Sequence, residues 1–432
     1  MDNLNIKNLI LRDRESRVNF IKTFLKKHNV ICLKANIVGE HKNTNYSYVV
    51  TKYFEKKIDD FIKEKNIDLI DKVTDVSLDG NYVLYLFNKK IHLKDEMVKF
   101  EESEEIGRLV DIDVYESISE GIPVSLSRGS KRKCLLCDEA AFVCQRKQTH
   151  TLEELKERSE KIVLTKLKTM VTTALKKSMM YELNLDPKFG LVTKKTNGSH
   201  RDMTYEILEK TQDVIIPYLF EMFEVGYKTP IRKIYPLIKE IGIKADKAMF
   251  KATNGINVYK GVIFSLGIIC ASLGYKMNSL YIKCASVLNL TKDISIKVLD
   301  EYDKHNTFGS KAYTEYKIGG ARLEAYNGFP NVRNCCKYLT DLDDSSLLKA
   351  LIYLIVNLED TVMLKRAKTI DKYYDIKLKF SEINLDNKLD SNLLEKLNKQ
   401  MIDENISFGG CADMLICAVF LRLIQNDFNI KL

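Results

Sequence analysis

Two aspartates one residue apart, Asp111 and Asp113, lie in the run Gly107-Arg108-Leu109-Val110-Asp111-Ile112-Asp113-Val114-Tyr115. Apolar Val110, Ile112 and Val114 alternate with the acids, which predicts a strand. Side chains two apart on a strand project to one face, about 6.6 Å apart. Such a pair can hold Mg2+ against a polyphosphate, as a nucleotidyl-type transferase needs when pyrophosphate leaves; it also fits a half-exposed strand with an acidic solvent face. About twenty residues on, Cys134, Cys137, Cys144 and His150 fall within seventeen residues. Three thiols and an imidazole can close a tetrahedral Zn2+ site. Their spacing is not that of a zinc finger, and a reduced loop packing its thiols is the other reading. Arg108, Arg128, Arg132, Lys133 and Arg146 in the same region are candidate phosphate contacts, each arginine through a two-pronged fork.

A second set of chemistry-bearing residues sits in four polar, glycine-containing corners. They are 187–192 with Asn197-Gly198-Ser199-His200-Arg201-Asp202-Met203, then 253–257 with Lys260-Gly261, then Gly319-Gly-Ala-Arg-Leu-Glu-Ala325 with Gly328-Phe-Pro330, and last Ser407-Phe-Gly-Gly-Cys-Ala-Asp413. Glycine lets backbone amides approach phosphate, and helix N-termini add a favourable dipole, so together such corners can cradle a triphosphate. Singly, each is a common helix end or loop. Lys188, Arg201, Lys260 and Arg322 would supply positive charge, Asn197, Gly198 and Asn257 further contacts, and Asp202, Glu324 and Asp413 metal ligands or a general base.

The elements that must position these residues change along the chain. Arg12 to Lys27 reads as a helix with Val18, Ile21 and Leu25 on one face, and Val30 to Val38 follows as a strand. Asp79-Gly80 between two β-rich runs predicts a hairpin, and the acidic stretch Glu101 to Glu105 reads as a solvated loop. From Thr151 the character is helical. Thr151-Leu-Glu-Glu154 resembles a capping box, and Ile162, Leu164, Leu167, Val171, Ala174 and Leu175 follow at helical spacing. The expected fold is an α+β N-terminal domain, residues 1–155, followed by a mainly α-helical domain, residues 156–432.

Composition narrows the class. At 432 residues the chain exceeds one ordinary core. A net charge of +9 without a Lys/Arg tract longer than Lys131 to Lys133 suits anionic substrates or an acidic protein partner rather than nucleic acid. Met1 to Glu15 reaches charged residues too early for a signal peptide, and the longest apolar runs, Val262 to Tyr275 and Cys411 to Leu421, are short for a membrane span. The expectation is a cytoplasmic chain with reduced cysteines and no membrane or nucleic-acid partner.

As a set, Gly107-Arg108-Leu109-x-Asp111-x-Asp113-Val114, Arg132-Lys-Cys-Leu-Leu-Cys137, Ala141-x-x-Cys144-x-Arg146 and His150-Thr-Leu-Glu-Glu-Leu155 resemble the citrate lyase holo-acyl-carrier-protein synthase family. Arg12, Arg14, Arg17, Asn36 to Gly39 and Lys42-Asn43 resemble its opening. The resemblance covers residues 8 to 155. It implies transfer of a phosphoribosyl-dephospho-CoA unit to a serine of the apo-citrate lyase acyl carrier protein, the gamma subunit, with loss of pyrophosphate. The four corners, over residues 165 to 425, resemble the triphosphoribosyl-dephospho-CoA synthase family, which uses ATP and 3′-dephospho-CoA and releases adenine. In that reaction Asp202 or Glu324 is a candidate base and His200 a candidate acid. Thr193, Asn254 and Leu323 depart from the family pattern, and His305 with Thr307-Phe-Gly309 matches it only loosely. Two rivals stand beside this reading: the equivalent synthesis for malonate decarboxylase, and a zinc-stabilised nucleic-acid-binding protein.

Overall fold

The computed structural model describes residues 3–127, 129, 131–278, 286–301 and 307–428, so Arg128 and His305 lie outside the described residues. The chain divides into two compact units, Met1–Thr169 and Met170–Asn426. Residues 156–169, expected with the second domain, therefore group with the first unit.

The first unit runs α1 (Asn3–Leu25), β1 (His28–Ala35), α2 (Asn45–Glu64), β2 (Leu69–Ser77), β3 (Gly80–Asn88), α3 (Lys94–Glu102), a 3-10 turn, β4 (Val110–Ser119), β5 (Ile122–Ser125) and α4 (Ala141–Lys147). The start of α5 (Leu152–Asn184) completes it. The strands form one antiparallel sheet in the order β2-β3-β1-β4-β5. Strand alternation sorts its faces. Val30, Cys32, Leu84 and Leu86 pack with Ile21 and Leu25 of α1, while the opposite face, including Tyr85, meets α2.

The predicted hairpin is present, but Asp79 does more than turn the chain. Its carboxylate is closed to solvent and takes charge-assisted bonds from Arg14 (3.0 Å), Arg17 and Lys34 (2.7 Å). Burial works to raise its pKa; the three cations overcome that and hold it at about 2. The acidic stretch is not a solvated loop. Glu101 is buried at the end of α3, and Glu104 is bound by Lys57 (2.8 Å), Lys166 and Tyr53 (2.6 Å). The capping box is real: Thr151 N–H donates to Glu154 Oε2 at 2.8 Å, and Glu154 N–H to Thr151 Oγ1 at 3.2 Å.

The second unit is helical among its described residues. After α5 come α6 (Tyr205–Lys228), α7 (Ile231–Ala252), α8 (Lys260–Asn278), α9 (Val287–Ile294), α10 (Phe308–Tyr316) and α11 (Gly320–Tyr326). Then follow α12 (Pro330–Cys335), α13 (Asp344–Asn357), α14 (Thr361–Ala367), α15 (Ile370–Ser381), α16 (Ser391–Asp403) and α17 (Gly409–Phe428). Both long apolar runs lie in core helices, α8 and α17. By length and composition α8 is able to cross a membrane, yet 78% of its most apolar window is buried. It touches α6 backbone to backbone: a Cβ on Gly226 would stand 1.9 Å from the Ala271 carbonyl oxygen, and one on Gly274 2.0 Å from that of Phe223.

Asp79→Asn should destabilise the first unit by about 3 kcal/mol at neutral pH, because three cations lose their shared partner. A depressed carboxylate stabilises above its unfolded pKa, so in the parent chain this contribution is whole above about pH 4 and is lost as pH falls towards 2. Hydrogen exchange at the β1 and β3 amides against pH is the measurement; equal protection in parent and variant at pH 7 would refute it.

Candidate functional site

In the first unit the sheet register sets the acids. Asp111 pairs with Lys34 and Asp113 with Cys32 across β1 and β4, so both carboxylates are on the α1 face, as the alternation predicts. Gly107 lets α3 close over this strand, since a Cβ there would meet the Glu101 carbonyl oxygen at 2.1 Å. Glu101 Oε1 then accepts the Ile112 N–H (2.7 Å) and Arg132 Nη2–H (2.6 Å), and the same Arg132 nitrogen reaches Asp111 Oδ1 at 3.0 Å. Ser125 Oγ–H donates to Asp113 at 2.8 Å. Burial, then the neighbouring Asp111 charge, push the Asp113 carboxyl above its usual range.

A cleft of about 1160 Å³ opens beside Arg132; neither Asp111 nor Asp113 lines it, and Arg132 is their link to it. Its walls are the loop after β1, the end of α3, residues 131–135, α4 and the start of α5, and Lys42, Arg108, Lys131, Arg132 and Lys133 line it. Arg108 is partly buried; Arg146 is exposed, its guanidinium 5.7 Å from the Phe142 ring, and does not line the cleft. The four candidate zinc ligands converge. Cys137 Sγ lies 3.4 Å from Cys144 Sγ and 3.3 Å from His150 Nε2, and with Cys134 all four ligand atoms are within 4.8 Å of one another.

In the second unit the four corners come together. Gly190 and Gly198 adopt positive φ (87° and 57°), which folds 187–200 tightly against the segment before α17. There Ser199 Oγ–H donates to the Ile406 carbonyl and His200 Nε2 lies 2.8 Å from Ser407 Oγ. The second corner meets the fourth at Gly261, where a Cβ would stand 1.9 Å from Asp413 Oδ2. The third joins through 359–361: the Gly319 N–H donates to Glu359 at 3.0 Å, and Asp360 accepts the Cys411 N–H at 3.0 Å.

Single roles need revision. Lys188 is not a free phosphate contact; it is buried and bound to Glu182 at 2.8 Å, with burial lowering its pKa. Burial and then the Arg366 charge lower His200 to about 4, so it is neutral near pH 7 and unsuited to act as a proton-donating imidazolium. Glu324 has the opposite character: burial raises it to about 7, although Asn331 donates to it through its side chain (2.6 Å) and backbone N–H (3.2 Å). Asp413 is pushed well above its usual range by burial, then by Asp360 and Glu182. Arg322 is partly buried, while Asn197, Arg201 and Asp202 are exposed. Asn257, also exposed, accepts the Lys260 N–H at 3.2 Å, and Lys260 Nζ is 3.7 Å from Asp246.

Sequence reasoning missed Glu182, Glu359, Asp360 and Arg366. Asp360 caps α14, taking the N–H groups of Val362 (2.7 Å) and Met363 (3.1 Å). Arg366 spans Ser199 O (3.0 Å) and Asn405 Oδ1 (2.7 Å). An Asp-Thr start to a helix was the one visible signal; the rest depends on long-range contacts.

Two family models match the chain in tandem. Residues 6–166 match the apo-citrate lyase phosphoribosyl-dephospho-CoA transferase model, and residues 168–431 match ATP:dephospho-CoA triphosphoribosyl transferase. A protein named CitXG from Leuconostoc mesenteroides subsp. cremoris is 29% identical over 96% of this chain and 97% of its own length. The CitXG of Haemophilus influenzae is 26% identical over 97% and 96%. A probable 2-(5″-triphosphoribosyl)-3′-dephosphocoenzyme-A synthase from Photobacterium profundum is 31% identical over 59% of this chain and 87% of its own.

Glu182→Gln should leave the Lys188 ammonium buried without a counter-charge, at about 3–5 kcal/mol of stability. Replacing both partners by Leu and Met should restore most of it. Urea midpoints by circular dichroism read the two variants; a single variant as stable as the parent would show that the pair is dispensable.

Proposed function

This chain belongs to the ATP:dephospho-CoA triphosphoribosyl transferase family and carries an apo-citrate lyase phosphoribosyl-dephospho-CoA transferase domain ahead of it, and from that premise we propose how its two units divide one biosynthesis. The protein is a bifunctional transferase of citrate lyase prosthetic-group synthesis, with ATP and dephospho-CoA as substrates. The observation that carries the division is that each unit has its own cluster of desolvated acids beside cations or glycine corners.

In the second unit the 2′-hydroxyl of 3′-dephospho-CoA attacks C1′ of the ATP ribose. The C–O bond forms, the C1′–N9 bond to adenine breaks, the hydroxyl proton goes to a base, and the departing purine takes one up. The sugar carries positive charge in the transition state, by analogy with glycosidases. Glu324 is the better base than exposed Asp202, because a carboxylate near 7 can both accept and return a proton at neutral pH. Neutral His200 serves as a hydrogen-bonding group beside Ser407. The glycine corners, with Lys260 and Arg322, face the triphosphate in this reading.

In the first unit the carrier-protein serine attacks the phosphorus of the triphosphate next to the ribose. A P–O bond to serine forms, that to pyrophosphate breaks, and the serine proton passes to solvent. Arg108, Arg132 and the cleft lysines hold the phosphates. Asp111, Asp113 and the Ser125 hydroxyl are a hard-oxygen set suited to Mg2+, and the raised Asp113 carboxyl shows charge that a cation would offset. Bound there, Mg2+ would neutralise charge on the pyrophosphate. The Cys134, Cys137, Cys144 and His150 cluster is assigned no chemical step. Use of two soluble metabolites supports the cytoplasm as the place of action.

Incubation with ATP, 3′-dephospho-CoA, Mg2+ and the apo carrier protein tests the scheme, read as free adenine by chromatography and a mass increase on the carrier serine. Asp111→Asn and Asp113→Asn should abolish carrier labelling while adenine is still released. Arg322→Ala and Glu324→Gln should lose adenine release, the latter slowing it about 10²–10⁴-fold, yet leave labelling from supplied intermediate unchanged. As a base with a pKa near 7, Glu324 should make the parental rate rise with pH through 7, and Glu324→Gln should flatten that rise. Adenine release at the parental rate in both variants would make their corner structural only.

The halves should also work apart. A fragment ending at Thr169 keeps the Lys166–Glu104 and Arg158–Glu105 pairs, whereas one ending at Leu155 loses both. We expect residues 1–169 mixed with 170–432 to label the carrier, and a fragment 1–155 to melt lower. Labelling confined to the intact chain would overturn separability.

A further inference from the structure

We propose that Cys134, Cys137, Cys144 and His150 hold one structural Zn2+ that fixes the Arg132 wall of the transferase cleft. The wall has no core of its own. Across residues 131–150 the only buried side chains are those of Cys134 and Cys144, while Leu136 and Phe142 are exposed. So short a segment lacks the apolar area to order itself, and a metal is the usual substitute.

The backbone already has the shape of a ligand turn. The Cys134 N–H donates to Glu139 O at 2.7 Å, and the Ala141 N–H to Arg132 O at 2.8 Å. Next, α4 brings in Cys144 and ends at Gln148 in the left-handed region (φ 50°), which turns the chain back and delivers His150. Ligands about 2.1–2.3 Å from a tetrahedral Zn2+ are about 3.5–3.8 Å from each other. The 3.3 and 3.4 Å separations are close to that. Binding expels the three thiol protons, leaving a centre of charge −1 among Lys131, Arg132, Lys133 and Arg146. Arg132 is two residues before the first ligand, and its Nη2 ties this wall to Glu101 and Asp111.

The positioning role rests on the transferase reading above; the metal itself does not. The full chain, purified under reductant without chelator, should contain about one zinc by mass spectrometry of the metal. Cys137→Ser with Cys144→Ser, and separately His150→Ala, should reduce it at least tenfold, while His150→Cys keeps it. Cobalt exchanged into the parent should give thiolate charge-transfer and tetrahedral absorption bands. Zinc loss should stop carrier labelling from supplied intermediate and leave adenine release unchanged, with recovery on adding zinc back. A chain without zinc, zinc content untouched by these substitutions, or a Cys137–Cys144 disulfide in the reduced preparation would overturn the site. Undiminished labelling by the zinc-free chain would overturn its positioning role.

Discussion

A carboxylate closed off from water must find its counter-charge or its N–H donors inside the protein, and both units are arranged around that requirement. In the first, Asp79 collects cations from α1 and β1, so the hairpin end, the N-terminal helix and the central strand are bound to one point. Glu101 does the same for α3, β4 and the Arg132 segment. In the second, Asp360 joins α14 to the start of α17 through backbone N–H groups and the Cys411 thiol. These are not ornaments on an apolar core. Each ties together elements that are distant in the chain.

The two units use desolvation for different ends. Around Asp79 counter-charge is abundant and the acid is strengthened. Around Glu324 the donors come from one asparagine, and the acid is weakened to about 7. The first arrangement suits binding and position; the second suits proton transfer. Asp113 lies between, held up by burial and a like charge while Ser125 donates to it.

Local signals in the sequence were legible and long-range ones were not. Alternation at Val110 to Val114 placed both acids on one face, and the Thr151-to-Glu154 box marked the start of α5, because strand and cap depend on neighbours. The glycine corners stand out one by one in the sequence, while their meeting depends on the fold. Glu101 to Glu105 looked solvated because nothing nearby in the chain announces Arg132, Lys57 or Lys166. His200 reads as an acid for a like reason: the burial that lowers its pKa, and the charge of Arg366, 166 residues away, that adds to it, come only with the fold. Buried pairs such as Lys188 with Glu182 read as surface charge until the fold closes over them.

The contact of α6 with α8 at Gly226 and Gly274 turns α8 into a lever. Its N-terminal end carries Gly261, against which Asp413 rests, thirteen residues or about 20 Å from Gly274. One methyl group at the far end would have to pry the helices apart, and a rigid rod transmits such a tilt along its whole length. Residues that touch no substrate thus set the clearance at the glycine corners, so the tolerance of this site is governed in part from the opposite end of a helix.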